Sequence, residues 1–312
     1  MRPAGPPSYR RIMTVVTWDS IHAAEHFTMR NGRLIDRQRF AHLFQNGPTE
    51  PIRSALAAYR NLDGGYGNGL DPDLRGHASQ PAATVIALHY FDELGAIPQH
   101  LGHGICRYLA GVSDADGGIP PVLPTVRHSE AAPWYQHAND FSAQLGITAH
   151  ITGYLHKSHI SHPWRDTATA YCWKHIDTLA WTNPREAVGV CTFLQYVDDR
   201  QRAIQAINRL SSRIRAVIDV HPRTTGHVHT PLDLATSPQH IARPLFTDAE
   251  IERNLDVLER QQRPDGGWDA LWGHWDATAT AEREAMRTIQ RLRILRDYGR
   301  VTGYLPQPRR DT

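Results

Sequence analysis

The sequence predicts an all-α protein, an (α/α)6 toroid in which six helical hairpins close a ring around a central cavity. Three observations predict it. A DGG turn recurs as DGGY at 63–66, DGGI at 116–119 and DGGW at 265–268. The first two copies lie 53 residues apart and the next two 149, close to three steps of about 50. Such a period marks a repeat of stacked supersecondary units. Between the turns the apolar residues follow helical spacing, so each unit is a helical hairpin, and 312 residues hold about six of them.

The elements follow in chain order. Residues 20–30 and 34–45 form a first helical pair around an NGR turn. Residues 51–60 open with Pro at the first helical position and run to the first DGG turn. Residues 81–94 (PAATVIALHYFDEL) are apolar on every side, which predicts a buried inner helix. Gly95 stops it, and 98–111 returns as an outer helix. The stretch 112–137 reads as a long loop. Residues 140–156 read as another inner helix, with Asn139 and Asp140 as its caps. Helices at 163–180, 184–197 and 199–218 follow. Residues 219–246 carry Pro, Gly, Thr and four histidines without periodicity, the pattern of a binding loop or lid. Residues 248–262 run amphipathically into DGGW, and 276–297 make the last helix. The ring is expected to span 16–305, with 1–15 a loose leader and 306–312 a tail.

Composition narrows the function classes. The chain is 40% hydrophobic and 21% charged, enough to bury a large core. Its net charge of +2, with no basic stripe, gives no nucleic-acid footprint. The apolar patch IMTVV is too short for a signal-peptide core or a membrane span. Cys106, Cys172 and Cys191 are widely spaced among apolar residues, as expected of reduced packing thiols in a cytoplasmic protein. There is no P-loop, no dinucleotide fingerprint after a strand and no GxSxG.

The string QRPDGGW at 262–268 fits the Q-x(2–5)-G-x-W repeat of squalene–hopene cyclases, and LDGGYGNGLDPD and DADGGIP look like weaker copies. Over roughly residues 50–300 the chain resembles the α/α-toroid superfamily of class II terpene cyclases and protein prenyltransferase β-subunits. The resemblance implies an isoprenoid substrate, either uncharged or a diphosphate accompanied by Mg2+, cyclised or isomerised by acid-initiated carbocation chemistry. In the motif, Gly permits a tight turn, Gln bonds backbone groups at helix ends, and the aromatic packs on the adjacent outer helix. The DGG aspartates Asp63, Asp116 and Asp265 stand at equivalent turns and serve the repeat. The cyclase acid motif D-x-D-D-T-A is degenerate here: Asp276 keeps its first Asp, but Thr278 and Ala279 stand where the next acids belong.

The stronger acid candidates are Asp71 and Asp73, either side of Pro72 and just ahead of the inner helix expected from Ser79. Two carboxylates this close push their pKa values apart and leave one protonated. The competing reading is turn chemistry, with Asp73 paired to Arg75. Arg75 and His77 are candidates to orient or neutralise a diphosphate at the same rim. Trp134, Tyr135, Trp272 and Trp275 sit on two loops, where such rings shield cations, whereas Trp268 belongs to the motif. Asp140 and Asp276 complete the candidate substrate-binding set. The histidines at 156, 159 and 162, and those of the long loop at 221, 227, 229 and 240, lack thiolate or carboxylate partners at ligand spacing, so no metal site is expected. Two other functions remain open. One is a non-catalytic toroid that binds a hydrophobic ligand or a protein partner. The other is a carbohydrate-active (α/α)6 enzyme, pairing Asp71 or Asp73 with Asp140 or Glu130.

Overall fold

The computed structural model describes residues 16–221, 229–270 and 274–301. The expected leader at 1–15, the tail at 306–312, His227 and Trp272 lie outside them. The described residues form thirteen α-helices and two 3-10 turns, with no strand and only three isolated bridges. No helix among them is long and apolar enough to cross a membrane.

The helices are α1 (Trp18–Asn31), α2 (Leu34–Gln45), α3 (Glu50–Ala57), α4 (Pro81–Glu93), α5 (Gln99–Val112), α6 (Pro133–Gln136) and α7 (Leu145–Lys157). They continue as α8 (Pro163–Asp177), α9 (Pro184–Tyr196), α10 (Arg200–Ala216), α11 (Pro231–Leu234), α12 (Asp248–Arg260) and α13 (Ala277–Asp297). Their starts have local causes. Proline, whose missing N–H is harmless in the first turn, opens α4, α8 and α9. Asn183, Asp199 and Thr247 accept backbone N–H groups at the heads of α9, α10 and α12. Asp276 does the same for α13, its Oδ1 accepting from Ala279 N at 2.7 Å.

Two expectations need correction. The helix expected over 140–156 begins only at Leu145. Asn139 and Asp140 are not its caps; Asp140 instead accepts from Ser142 N at 2.8 Å. The preceding residues run extended because Gln144 N donates to Ile119 O at 2.9 Å, tying the helix head to the second DGG turn. The long loops also hold more structure than expected, with a 3-10 turn at Pro124–His128 and α6 in the first. In the second, Thr230 and Asp233 form a capping box that nucleates α11, and a 3-10 turn follows at Arg243–Leu245.

The three DGG turns share one geometry. Asp63, Asp116 and Asp265 each accept the amide two residues on, from Gly65, Gly118 and Gly267, at 2.8, 3.4 and 3.0 Å. The next residue donates its N–H to a helix threonine: Tyr66 to Thr84, Ile119 to Thr148 and Trp268 to Thr288. The first glycine of each pair has φ between +88° and +95°. Each lies flush on a helix, where a Cβ would fall 2.2 Å from Gly104 O of α5, 2.7 Å from Ala168 N of α8 and 2.1 Å from Ala23 O of α1. Gln262 donates to Ser20 O and Gly266 O, and the buried Trp268 donates its indole N–H to Leu258 O. The motif residues therefore tie α12 and α13 to α1.

Helix packing is continuous. α2 meets α3, α4 meets α7, α7 meets α8 and α9, α9 meets α10 and α11, α11 meets α12, α12 meets α13, and α13 meets both α1 and α2. The described chain ends adjoin, Val16 N donating to Arg300 O at 2.9 Å. The three cysteines are buried and free, and burial pushes the thiols of Cys106 and Cys191 up to about 12, so they pack rather than react.

Candidate functional site

Asp71 and Asp73 are both buried, and Leu74 pairs with Ala131 in an isolated antiparallel bridge. Asp73 O accepts from Ala132 N and Arg75 N donates to Glu130 O, each at 2.9 Å. That zipper carries α6, and with it Tyr135, towards the acid pair. Asp71 Oδ1 accepts Asp73 N at 3.0 Å, which is turn chemistry. Both carboxylates also close on Arg283 of α13, at 2.8 Å from Asp71 and 2.5 Å from Asp73. The indole N–H of Trp275 takes the other Asp73 oxygen at 3.1 Å. Arg75 does not pair with Asp73 as the sequence suggested. It reaches Glu282 at 2.9 Å, with Asp276 at 3.9 Å.

Of the candidates, Asp71, Asp73, Arg75, Tyr135, Trp275 and Asp276 thus gather around the head of α13. Burial raises the Asp73 carboxyl; Arg283 opposes that shift and Asp71 adds to it. The Tyr135 hydroxyl is raised by burial and by Asp71. His77, Trp134 and Asp140 are exposed and do not join the pair. The hydrogen bond from Ser142 lowers the Asp140 carboxyl. Glu130 is exposed too, its backbone carbonyl accepting from Arg75 N. Among the described residues no group of three or more His, Cys, Asp or Glu side chains is placed to hold a metal. Asp71 Oδ1 and the oxygens of Asp73 as arranged are taken by Arg283, the Trp275 indole and the Asp73 amide, so Mg2+ would have to displace Arg283 to bind there.

Behind Arg283 lies a cavity of two adjoining chambers, about 250 and 140 Å3, that share His89, His150 and Gln290. Its walls come from α2, α4, α7, α9, α11 and α13 and from none of the helices between them. One wall is a polar chain. Tyr154 Oη meets His89 Nδ1 at 3.0 Å, and His89 Nε2 lies 3.4 Å from Glu93. Glu93 takes both arms of Arg39 at 2.7 and 2.8 Å. Burial works against the Glu93 anion, but Arg39 prevails and holds its carboxyl well below the usual range. The opposite wall is α13, which presents Arg283, Met286, Arg287, Gln290 and Arg293. Burial, and then His89, pushes the His150 imidazole down to about 4, and burial does the same to His240. Val85, Ile86, Val188, Leu234 and Ile294 supply apolar lining.

The sequence reading missed this arginine wall. Arg283, Arg287 and Arg291 recur every four residues, which puts them along one helix side, in a segment that also carries a full apolar stripe. That spacing was the available signal. Charged residues on a last helix ordinarily face water, and the partners here lie 54 to 212 residues away in sequence.

No protein-family model and no curated protein matches the chain. A crystal structure of a protein from Actinoplanes is similar in fold: TM-score 0.55 at 15% identity, covering 89% of this chain and 98% of that one.

Proposed function

We propose that the chain is a closed α/α toroid whose central cavity binds a small hydrophobic molecule of isoprenoid-like size. The observation that carries this reading is the cavity wall: six helices, α2, α4, α7, α9, α11 and α13, line it and the helices between them do not. The DGG turns support closure, since each sits on the next outer helix and the third reaches α1 at the other end of the chain. Cavities with apolar walls and a few convergent polar groups are the usual form of small-molecule sites. The test is native mass spectrometry of the purified protein, before and after incubation with farnesol, farnesyl diphosphate and squalene. Retention of one of these at one per chain is expected; a chain that retains none, with its cavity filled by water, overturns the reading.

Acid-initiated cyclisation of an isoprenoid is the second reading. The burial that raises the Asp73 carboxyl favours it, because a protonated acid is what such chemistry needs. Trp275 and Tyr135 would flank the developing cation. In this reading Arg283 swings off the pair when substrate enters. Product analysis with wild type and Asp73→Asn decides it: the variant loses a cyclised product if Asp73 is the acid, and no cyclised product in either leaves Asp73 as a structural partner of Arg283.

A further inference from the structure

The charges along α13 are unevenly matched. Arg283 faces two carboxylates. Arg287 and Arg291 share one, Asp233, at 3.5 and 3.1 Å. Asp233 is already committed, because its second oxygen accepts from Thr230 N at 2.8 Å and Thr230 Oγ1 at 3.1 Å. Arg287 Nη2 is buried without a hydrogen-bond partner, and its Nη1 makes only a long contact of 3.5 Å to Gln290. No carboxylate but Asp233 lies within 4 Å of Arg287 among the described residues. The guanidinium has five donors and cannot shed its charge. Burial, then Arg291 and Arg283, press it down to about 9 against the pull of Asp233, the condition of a cation that lacks an anion.

Arg287 lines the larger chamber beside Val85, Ile86 and Met286. From this we infer that the cavity takes a singly charged amphipathic carboxylate, its head on Arg287 and Gln290 and its hydrocarbon against those three apolar side chains. This rests on the toroidal cavity proposed above and names the class of molecule it holds. The single charge is set by the surroundings. One guanidinium is in surplus at Asp233, because the other cations about the chambers, Arg39, Arg283, Arg293 and Lys157, are already matched by Glu93, Asp92, Asp71 and Asp73, so a diphosphate would bring more charge than the site can neutralise. Charge-assisted bonds in a dry site are short and strong, so head-group charge should dominate selectivity.

The test is calorimetric titration of the full chain with octanoate, octanol and geranyl diphosphate, repeated with Arg287→Gln and Arg287→Lys, with far-UV circular dichroism as the check of folding. Octanoate should bind about tenfold or more tighter than octanol, the scale of one charged hydrogen bond. Arg287→Gln should erase that preference, weakening octanoate about tenfold relative to octanol. Arg287→Lys, which keeps the charge, should keep part of it and guards against a misfolded glutamine variant. Equal binding of octanoate and octanol overturns the anion site but leaves the cavity reading standing. Geranyl diphosphate binding tighter than octanoate through Arg287 overturns the single-charge assignment. If neither eight-carbon probe binds, the cavity reading fails and this inference with it.

Discussion

Arg39 and Glu93 illustrate how much one side chain can decide. Their bidentate contact is buried on both sides, at 2.7 and 2.8 Å, and Arg39 lies 3.8 Å over the Tyr90 ring. Removing one partner leaves a full charge in a dry site. Glu93→Gln should therefore destabilise the protein by about 3–5 kcal/mol. Asp177 also meets two arginines, at 2.5 and 2.9 Å, but in the open, so Asp177→Asn should change stability by less than about 1 kcal/mol. Urea denaturation of both variants checks the contrast. Protonation is a second lever at this scale. His150 and His240 titrate near 4 in the fold, against an ordinary value near 6.5. Between those values the unfolded chain binds protons that the folded chain refuses, so stability is full above about pH 6.5 and falls progressively towards pH 4. His150→Phe should flatten that slope, as read from thermal midpoints across the range. An unchanged slope would mean that His150 is not held neutral by the fold.

At the scale of the element, the closest packing is between α7 and α9, where glycines let two backbones touch. A Cβ on Gly189 would fall 1.9 Å from Gly146 O, and one on Gly153 would fall 2.7 Å from Thr192 O. Gly189→Ala should cost about 1–3 kcal/mol or more by forcing the two helices apart. Gly111, which has open space around its Cβ direction, should tolerate Ala and gain up to about 1 kcal/mol from it in a helix. Midpoints in urea for the two variants give the comparison. These elements also mark what the sequence could reveal. The DGG turns and the apolar run of 81–94 were legible because their causes are local: positive φ at glycine and apolar residues at helical spacing. The head of α7 was misplaced because Gln144 answers to Ile119 rather than to its neighbours. For the site, Asp71 and Asp73 could be singled out as paired acids, and Trp275 and Tyr135 as rim aromatics. The common partner of the two acids, Arg283, lies 212 residues beyond Asp71; its spacing with Arg287 and Arg291 marks one helix side, but nothing local aims that side at the acids.

For the whole molecule, the decisive question is whether the ring closes through the contact between its first and last helices. Three links bear on it. Val16 N donates to Arg300 O, Gly266 rests on Ala23, and Gln262 holds Ser20 O at 2.8 Å. If these contacts make one continuous ring, then where the chain is cut matters less than whether each seam is filled. The exposed connection between α8 and α9 offers a cut, between Ala180 and Trp181. A permutant that begins at Trp181, and joins 301 to 16 through a short Gly-Ser linker, keeps every helix pair. Cuts at exposed loops with adjoining termini are the ones domains tolerate. It should unfold in one cooperative transition, with a midpoint near that of the parent. Gly266→Ala should do the opposite. It keeps the chain order but drives a Cβ into Ala23 O at a positive φ, so it loosens the seam itself. Hydrogen exchange should then show α1 losing protection ahead of α4 and α7. If α1 keeps its protection in Gly266→Ala while the permutant fails to fold, the helices form an open stack and the seam is only a contact.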